Sequence, residues 1–170
     1  MRFSMRPERV FSDYSRISPA YLTERGVRLL LCDLDYTLAP KAQSEPDQRL
    51  HRWLAEMAQG GVTVMILSNN RNPVRVERFC RELGIEYEGH AGKPSAKGFR
   101  RAMARRGVTP EETAMLGDKL LTDVLGANRS GVWAVMVEPM GGPRGAWNHV
   151  LHGLQRPFKA LCRNRKEAKA

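Results

Sequence analysis

Cysteine is scarce in this chain of 170 residues. Cys32, Cys80 and Cys162 are odd in number and contain no CxxC pair, which argues against a disulfide framework and gives no zinc spacing. Cys32 lies in an apolar run and reads as a small buried hydrophobe. No apolar run reaches the ~18 residues of a membrane span. The N-terminus is charged but lacks an apolar h-region, so no secretory signal is expected and a cytoplasmic protein is the default. Internal repeats and low-complexity stretches are absent. The four histidines, His51, His90, His149 and His152, form no metal-ligand spacing. His90, near Lys93, reads as a surface histidine.

The composition, 42% hydrophobic and 27% charged, is that of a globular domain. The formal net charge is +10, and it is unevenly spread. Residues 1–28 hold six basic and three acidic side chains, residues 144–170 seven and one, and residues 29–143 fifteen and fourteen. The excess sits at the two ends. Basic ends favour anionic partners such as phospholipid, nucleic acid or phosphorylated substrates, and they serve equally as solvated surface. They lack the aromatic-basic interleaving of RNA-recognition modules, so no specific nucleic-acid partner is expected.

Strand-like and helix-like segments alternate between residues 26 and 137. Residues 26–33 form a short apolar run entered by Gly26 and predict a buried strand. Pro46–Gln59 carries Leu50, Trp53, Leu54 and Met57 at helical spacing and ends at Gly60-Gly61. Val62–Leu67 predicts a second strand, Asn72–Leu83 a helix, Ile85–Tyr87 a short strand, Ser95–Arg106 a helix closed by Gly107, Thr113–Leu116 a strand, Thr122–Arg129 a helix and Val132–Val137 a fifth strand. This alternation predicts an α/β fold, a parallel sheet with helices on both faces. In such sheets ligands bind outside the carboxyl ends of the strands.

The chemistry-bearing residues fall at those ends. Asp33-Leu34-Asp35-Tyr36-Thr37-Leu38 follows the first strand and Ser68-Asn69-Asn70 the second. Lys93-Pro94 precedes the third helix, and Gly117-Asp118-Lys119 with Thr122-Asp123 follows the fourth strand. A ring of acids repels itself unless cations compensate. Lys93 and a hard, oxygen-loving divalent ion would do so.

In this order the residues resemble the four signature motifs of the haloacid dehalogenase (HAD) superfamily: a DxDxT run, a strand ending in Ser or Thr, a lysine, and a GDxxxTD run. DLDYTL, LSNN, the AGKP turn and LGDKLLTDVLGANRSG followed by an apolar strand and a proline look like the YqeG family of HAD phosphatases, over roughly residues 10–140. Family members commonly carry Asn where this chain has Tyr36, a position with no proposed catalytic group. The related mitochondrial enzymes dephosphorylate phosphatidylglycerophosphate, which points to a substrate.

The resemblance implies a HAD-like fold and a covalent aspartyl-phosphate mechanism. Asp33 would attack phosphorus, and Asp35 would protonate the leaving oxygen and then activate water. Magnesium would be held by Asp33, the Asp35 backbone carbonyl and Asp118, with Asp123 holding a metal-bound water or orienting Lys93. Ser68 and the Asn69 backbone N–H would donate to phosphoryl oxygens, Lys93 would neutralise them, and Thr37 would brace the nucleophile loop. Plainer roles compete. Asp35 also suits a loop or helix cap, Ser68 and Asn70 a turn, and Asp123 the start of a helix.

Thirty-two residues separate Asp35 from Ser68 and 24 separate Ser68 from Lys93. One helix and one strand use most of each interval, so no cap domain and an open site are expected. Residues 1–25 read as an N-terminal extension packing on the core, 26–143 as the catalytic domain and 144–170 as a basic amphipathic segment. In that last segment Trp147, Val150, Leu151, Leu154, Phe158 and Leu161 form an apolar stripe at helical period, suited to packing on the domain or to an anionic membrane surface. The function expected is a magnesium-dependent phosphomonoesterase. The alternatives are a nucleic-acid or protein phosphatase, and an RNA-binding protein with a vestigial site. The residues say nothing of oligomeric state.

Overall fold

A computed structural model of the chain describes residues 4–70 and 73–141. The amphipathic stripe expected over 144–170 lies outside the described residues. Within them, six parallel strands form one sheet: β1 (Arg9–Phe11), β2 (Leu29–Cys32), β3 (Thr63–Leu67), β4 (Glu86–Glu88), β5 (Thr113–Gly117) and β6 (Trp133–Val137), in the spatial order β1-β6-β5-β2-β3-β4. The helices are α1 (Pro19–Thr23), α2 (Gln48–Gln59), α3 (Pro73–Leu83), α4 (Ala96–Arg106) and α5 (Leu125–Ser130).

The strand sequences explain why both faces are covered. β2 is Leu-Leu-Leu-Cys, buried throughout. Successive side chains of a strand point to opposite faces. Leu30 and Cys32 therefore join one core with Trp53 and Met57 of α2 and Phe79 of α3. Leu29 and Leu31 join the other with Phe99 and Met103 of α4 and Ala127 of α5. An unbroken apolar run is what a strand buried on both faces needs.

Helix ends follow local chemistry. The Asp47 carboxylate accepts from the Leu50 N–H at 2.8 Å and caps α2. Gly107 closes α4 at φ 62°, a conformation open to glycine at little steric cost. One expected helix differs in form. Thr122–Arg129 becomes a π-helical turn at Leu120–Val124 followed by α5. π-turns of this kind gather at functional sites.

The segment before Gly26 supplies more than cover. Arg9–Phe11 pairs in parallel with Val135–Val137 as an edge strand. Tyr14, Ile17 and Leu22 are buried in the first core. The Trp53 indole N–H donates to the Ile17 carbonyl at 3.0 Å, and the Tyr14 and Trp53 rings meet edge to face at 5.1 Å.

Candidate active site

Register brings the site together. Cys32 lies opposite Ile66 of β3 and Leu116 of β5. The next residues, Asp33, Leu67 and Gly117, therefore share one level at the carboxyl rim. Asp33 and Ser68 continue the backbone pairing, their N–H groups donating to Leu116 and Glu88 carbonyls at 2.9 and 3.0 Å.

The inner part of the site is a buried ion cluster. Asp33, Lys93, Asp118 and Asp123 are each 7% exposed or less. The Lys93 ammonium lies 2.8 Å from Asp33 Oδ1 and 2.7 Å from Asp123 Oδ1. A second ammonium, that of Lys119, lies 3.3 Å from Asp33 Oδ2 and 2.9 Å from Asp118 Oδ1. The Thr37 hydroxyl donates to Asp118 Oδ1 at 3.3 Å. The Lys119 N–H donates to Asp123 Oδ2 at 3.1 Å. Gly117 makes room for this arrangement, since a Cβ there would overlap the Asp123 carboxylate.

Such burial is tolerable only with full pairing. Burial pushes the Asp33 carboxyl upward, but the Lys93 and Lys119 ammonium groups outweigh it and hold the group below the usual carboxylate range. Burial lowers Lys93, and Asp123 and Asp33 overcome that and raise it. Lys119 is raised in the same way by Asp33, Asp118 and Asp123. Asp118 is different. Burial pushes it up to about 6, Lys119 offsets part of this, and the charges of Asp123 and Asp33 add to the rise. Three carboxylates thus share two ammonium groups, and Asp118 is left short of positive charge.

One oxygen from each of Asp33, Asp118 and Asp123 lies within 4.8 Å of the others. An all-oxygen donor set lacking a positive charge fits a hard divalent cation. The Lys119 ammonium bridges two of the three acids, and its side chain is 41% exposed.

The outer part is built otherwise. Neither Lys93 nor Lys119 pairs with the Asp35 carboxylate among the described residues. Arg75 Nη1 donates to Asp35 Oδ1 at 2.6 Å and the Asn70 amide to Oδ2 at 3.1 Å. Ser68 is buried, and its Oγ accepts from the Asn70 N–H at 3.0 Å. The Asn69 side chain donates to the Lys93 carbonyl and accepts from the Lys93 N–H, both at 2.8 Å, tying the lysine loop to the end of β3. His90, in the left-handed region at φ 49°, is exposed and lines a surface cleft with Asn70 and Arg105.

Three participants escaped sequence reasoning. Lys119 stands inside GDKLLTD and could have been flagged as a cation between acids. Asn70 read as a turn former. Arg75 carried no signal, being one of many arginines on a helix.

The HAD-hydrolase-like family model matches residues 90–139, the stretch that runs from the lysine loop through Asp118 and Asp123. The probable phosphatase YqeG of Bacillus subtilis (strain 168) is 38% identical over 139 residues, covering 82% of this chain and 80% of its own length. The chain belongs to the YqeG family of HAD phosphatases. A more distant relative is the chloroplastic phosphatidylglycerophosphate phosphatase 1 of Chlamydomonas reinhardtii. It is 29% identical over 79% of this chain, which spans about half (53%) of that protein. Among solved structures, the cobalt-bound deoxy-D-mannose-octulosonate 8-phosphate phosphatase of Haemophilus influenzae shares the fold. Its TM-score is 0.53 at 18% identity, covering 85% of this chain and 95% of that one.

In this YqeG-family chain, the stretch from Asp35 to Ser68 holds only α2, β3 and loops. The described residues between Ser68 and Lys93 hold α3 and β4. No inserted domain covers the rim among the described residues. No described helix is long and apolar enough to cross a membrane.

Proposed function

We propose that this phosphatase is a magnesium-dependent phosphomonoester hydrolase that works through an aspartyl-phosphate on Asp33. The observation that carries the reading is the Asp33 carboxylate, buried yet held ionised by two lysines. A nucleophilic carboxylate must be anionic and fixed in aim. An Asp33 oxygen attacks phosphorus as the ester P–O bond breaks, and Asp35 gives its proton to the departing alkoxide. Asp35 then takes a proton from water, whose oxygen displaces Asp33 and releases phosphate. Ser68 and the Asn69 N–H donate to phosphoryl oxygens, Lys93 opposes their charge, and Thr37 braces Asp118. Asp33, the Asp35 carbonyl, Asp118 and Asp123 would hold magnesium directly or through water, which when bound supplies charge for the phosphoryl group. The cobalt in the Haemophilus structure is consistent with a divalent ion here.

For the substrate we favour phosphatidylglycerophosphate. The Chlamydomonas relative bears that activity in its name, and the open rim suits a bulky head group. The seven basic side chains of residues 144–170 would favour an anionic membrane surface, where each contributes about 1 kcal/mol. The test is a magnesium-dependent screen with phosphatidylglycerophosphate, nucleotides and sugar phosphates, followed by hydroxylamine trapping of the acyl phosphate. Release from the lipid with a trappable adduct is expected. Full turnover after exhaustive EDTA treatment would overturn the metal requirement, and absence of the adduct during turnover the covalent step. Sedimentation with anionic liposomes should be lost on truncation after Pro143.

A further inference from the structure

Arg75 lies outside all four motifs, near the start of α3, yet its side chain is only 16% exposed. Its guanidinium donates to Asp35 Oδ1 at 2.6 Å and to the carbonyls of Pro40 and Gln43 at 3.2 and 3.0 Å. All three acceptors belong to residues 35–43, the loop that carries Asp35. A planar fork with three fixed acceptors is a geometric device that a lysine cannot reproduce. The same loop lines a cavity of about 350 Å³ through Tyr36, Pro40, Lys41 and Ala42, with Met140 and Gly141 opposite. Asp33, by contrast, is aimed by lysines from other loops.

Resting on the function proposed above, we infer that Arg75 is a positioning residue. It holds the Asp35 carboxylate on the leaving-group side of the phosphate, apart from the Asp33–Asp118–Asp123 cluster, and it fixes the loop over which the departing alcohol lies. Asn70 meets the other oxygen, Oδ2, which carries the proton in the acid step, the Asn70 amide then presenting its oxygen as acceptor. Proton donation matters most when the departing group is strongly basic. Loss of the clamp therefore affects an alkyl phosphate far more than an aryl phosphate.

The experiment compares glycerol phosphate with p-nitrophenyl phosphate for wild type, Arg75→Gln, Arg75→Lys and Asp35→Asn. For Arg75→Gln, kcat on glycerol phosphate falls on the order of 10²-fold, the size of a lost general-acid contribution. On p-nitrophenyl phosphate it falls only a few-fold. Arg75→Lys, which keeps the charge on a single nitrogen and loses the planar fork, lies between and reads the same ratio should the glutamine variant fail to fold. Adding Arg75→Gln to Asp35→Asn brings little further loss, because both act through one group. An equal fall on the two substrates, or losses that multiply in the double variant, would overturn the assignment. Should glycerol phosphate not turn over, phosphatidylglycerophosphate serves as the alkyl substrate, and a wild type inert to all three would instead defeat the function on which the inference rests.

Discussion

Asp33 and Asp35 are two residues apart and sit in opposite surroundings. Asp33 belongs to the inner cluster, where four charged groups are buried and two lysines converge on one carboxylate. Asp35 belongs to the outer part. Its side chain is 17% exposed and its partners, Arg75 and Asn70, both follow β3. Coulomb forces grow as water is excluded, so the inner part suits a fixed anion beside phosphorus. Under the proposed function Asp35 exchanges protons with water, and its partial exposure would allow that. In the proposed mechanism this difference would let one loop carry two carboxylates with separate duties, because burial changes across two residues.

The sharpest way to break the comparison is Asp33→Asn. The amide cannot attack phosphorus, so turnover should fall by about 10³-fold or more while the fold survives. Steady-state kinetics and circular dichroism check this. Normal phosphate release by a well-folded variant would remove the distinction between the two acids.

Stability tests the same contrast without activity. Lys93→Met leaves Asp33 and Asp123 buried beside one lost cation. Breaking a buried pair in this way costs roughly 3–5 kcal/mol. Arg75→Gln breaks a pair with more access to water, where the loss is on the order of 1 kcal/mol. Urea unfolding should rank them in that order. Equal losses would mean that inner and outer parts do not differ in effective dielectric.

Much of this was legible beforehand. The apolar runs of β2, β3, β5 and β6 and the helical spacing of Leu50, Trp53 and Met57 were unambiguous because each element is buried over its full length or along one face. The inner acids were legible because a strand end fixes where the next residue points. β1 was not. It is three residues long and only partly buried, and it becomes a strand only by pairing with β6. Arg75 was equally hidden, since its partners come from a loop 32 to 40 residues away along the chain and nothing local marks it off from a solvated arginine. The expected helix begins at Thr122, inside the π-helical turn at Leu120–Val124, because nothing in the side-chain pattern there distinguishes a π turn from an α turn.

Asp118 tests whether the inner cluster is built around a cation. Its carboxyl is pushed up to about 6 from an ordinary 3.8. The native state therefore holds an extra proton between those values, and this group's contribution to metal-free stability falls as pH rises through that window. Asp33 is depressed, so its contribution is lost only as pH falls through the ordinary Asp range and below. Asp118→Asn should flatten the melting temperature of the metal-free protein between pH 4 and 6 and raise it at pH 7 by roughly 2–4 °C. It should also weaken magnesium binding measured by calorimetry. A variant that binds magnesium as tightly as wild type would exclude Asp118 as a ligand.

The smallest effect lies on the loop that joins the two parts. Tyr36 follows Asp35 and takes φ 69°, the left-handed region. Its N–H donates to the Ala39 carbonyl and its carbonyl accepts from the Met140 N–H, both at 2.8 Å, so the conformation is fixed from both sides. A residue with a full side chain is strained there by about 1–2 kcal/mol, whereas asparagine visits the region readily. Asparagine is also what the family resemblance brings to this position. Tyr36→Asn should therefore stabilise the protein by up to about 1 kcal/mol, a rise of roughly 2–4 °C in melting temperature for a domain of this size. The ring is also a wall of the cavity beside Pro40 and Met140. Its removal should change KM for bulky phosphate esters while leaving kcat on p-nitrophenyl phosphate within a few-fold. Scanning calorimetry and the KM-to-kcat split separate the two effects. A lower melting temperature would show that the tyrosine ring contributes more by packing than the backbone strain removes, and that this loop is held by its side chains as firmly as the inner cluster is held by charge.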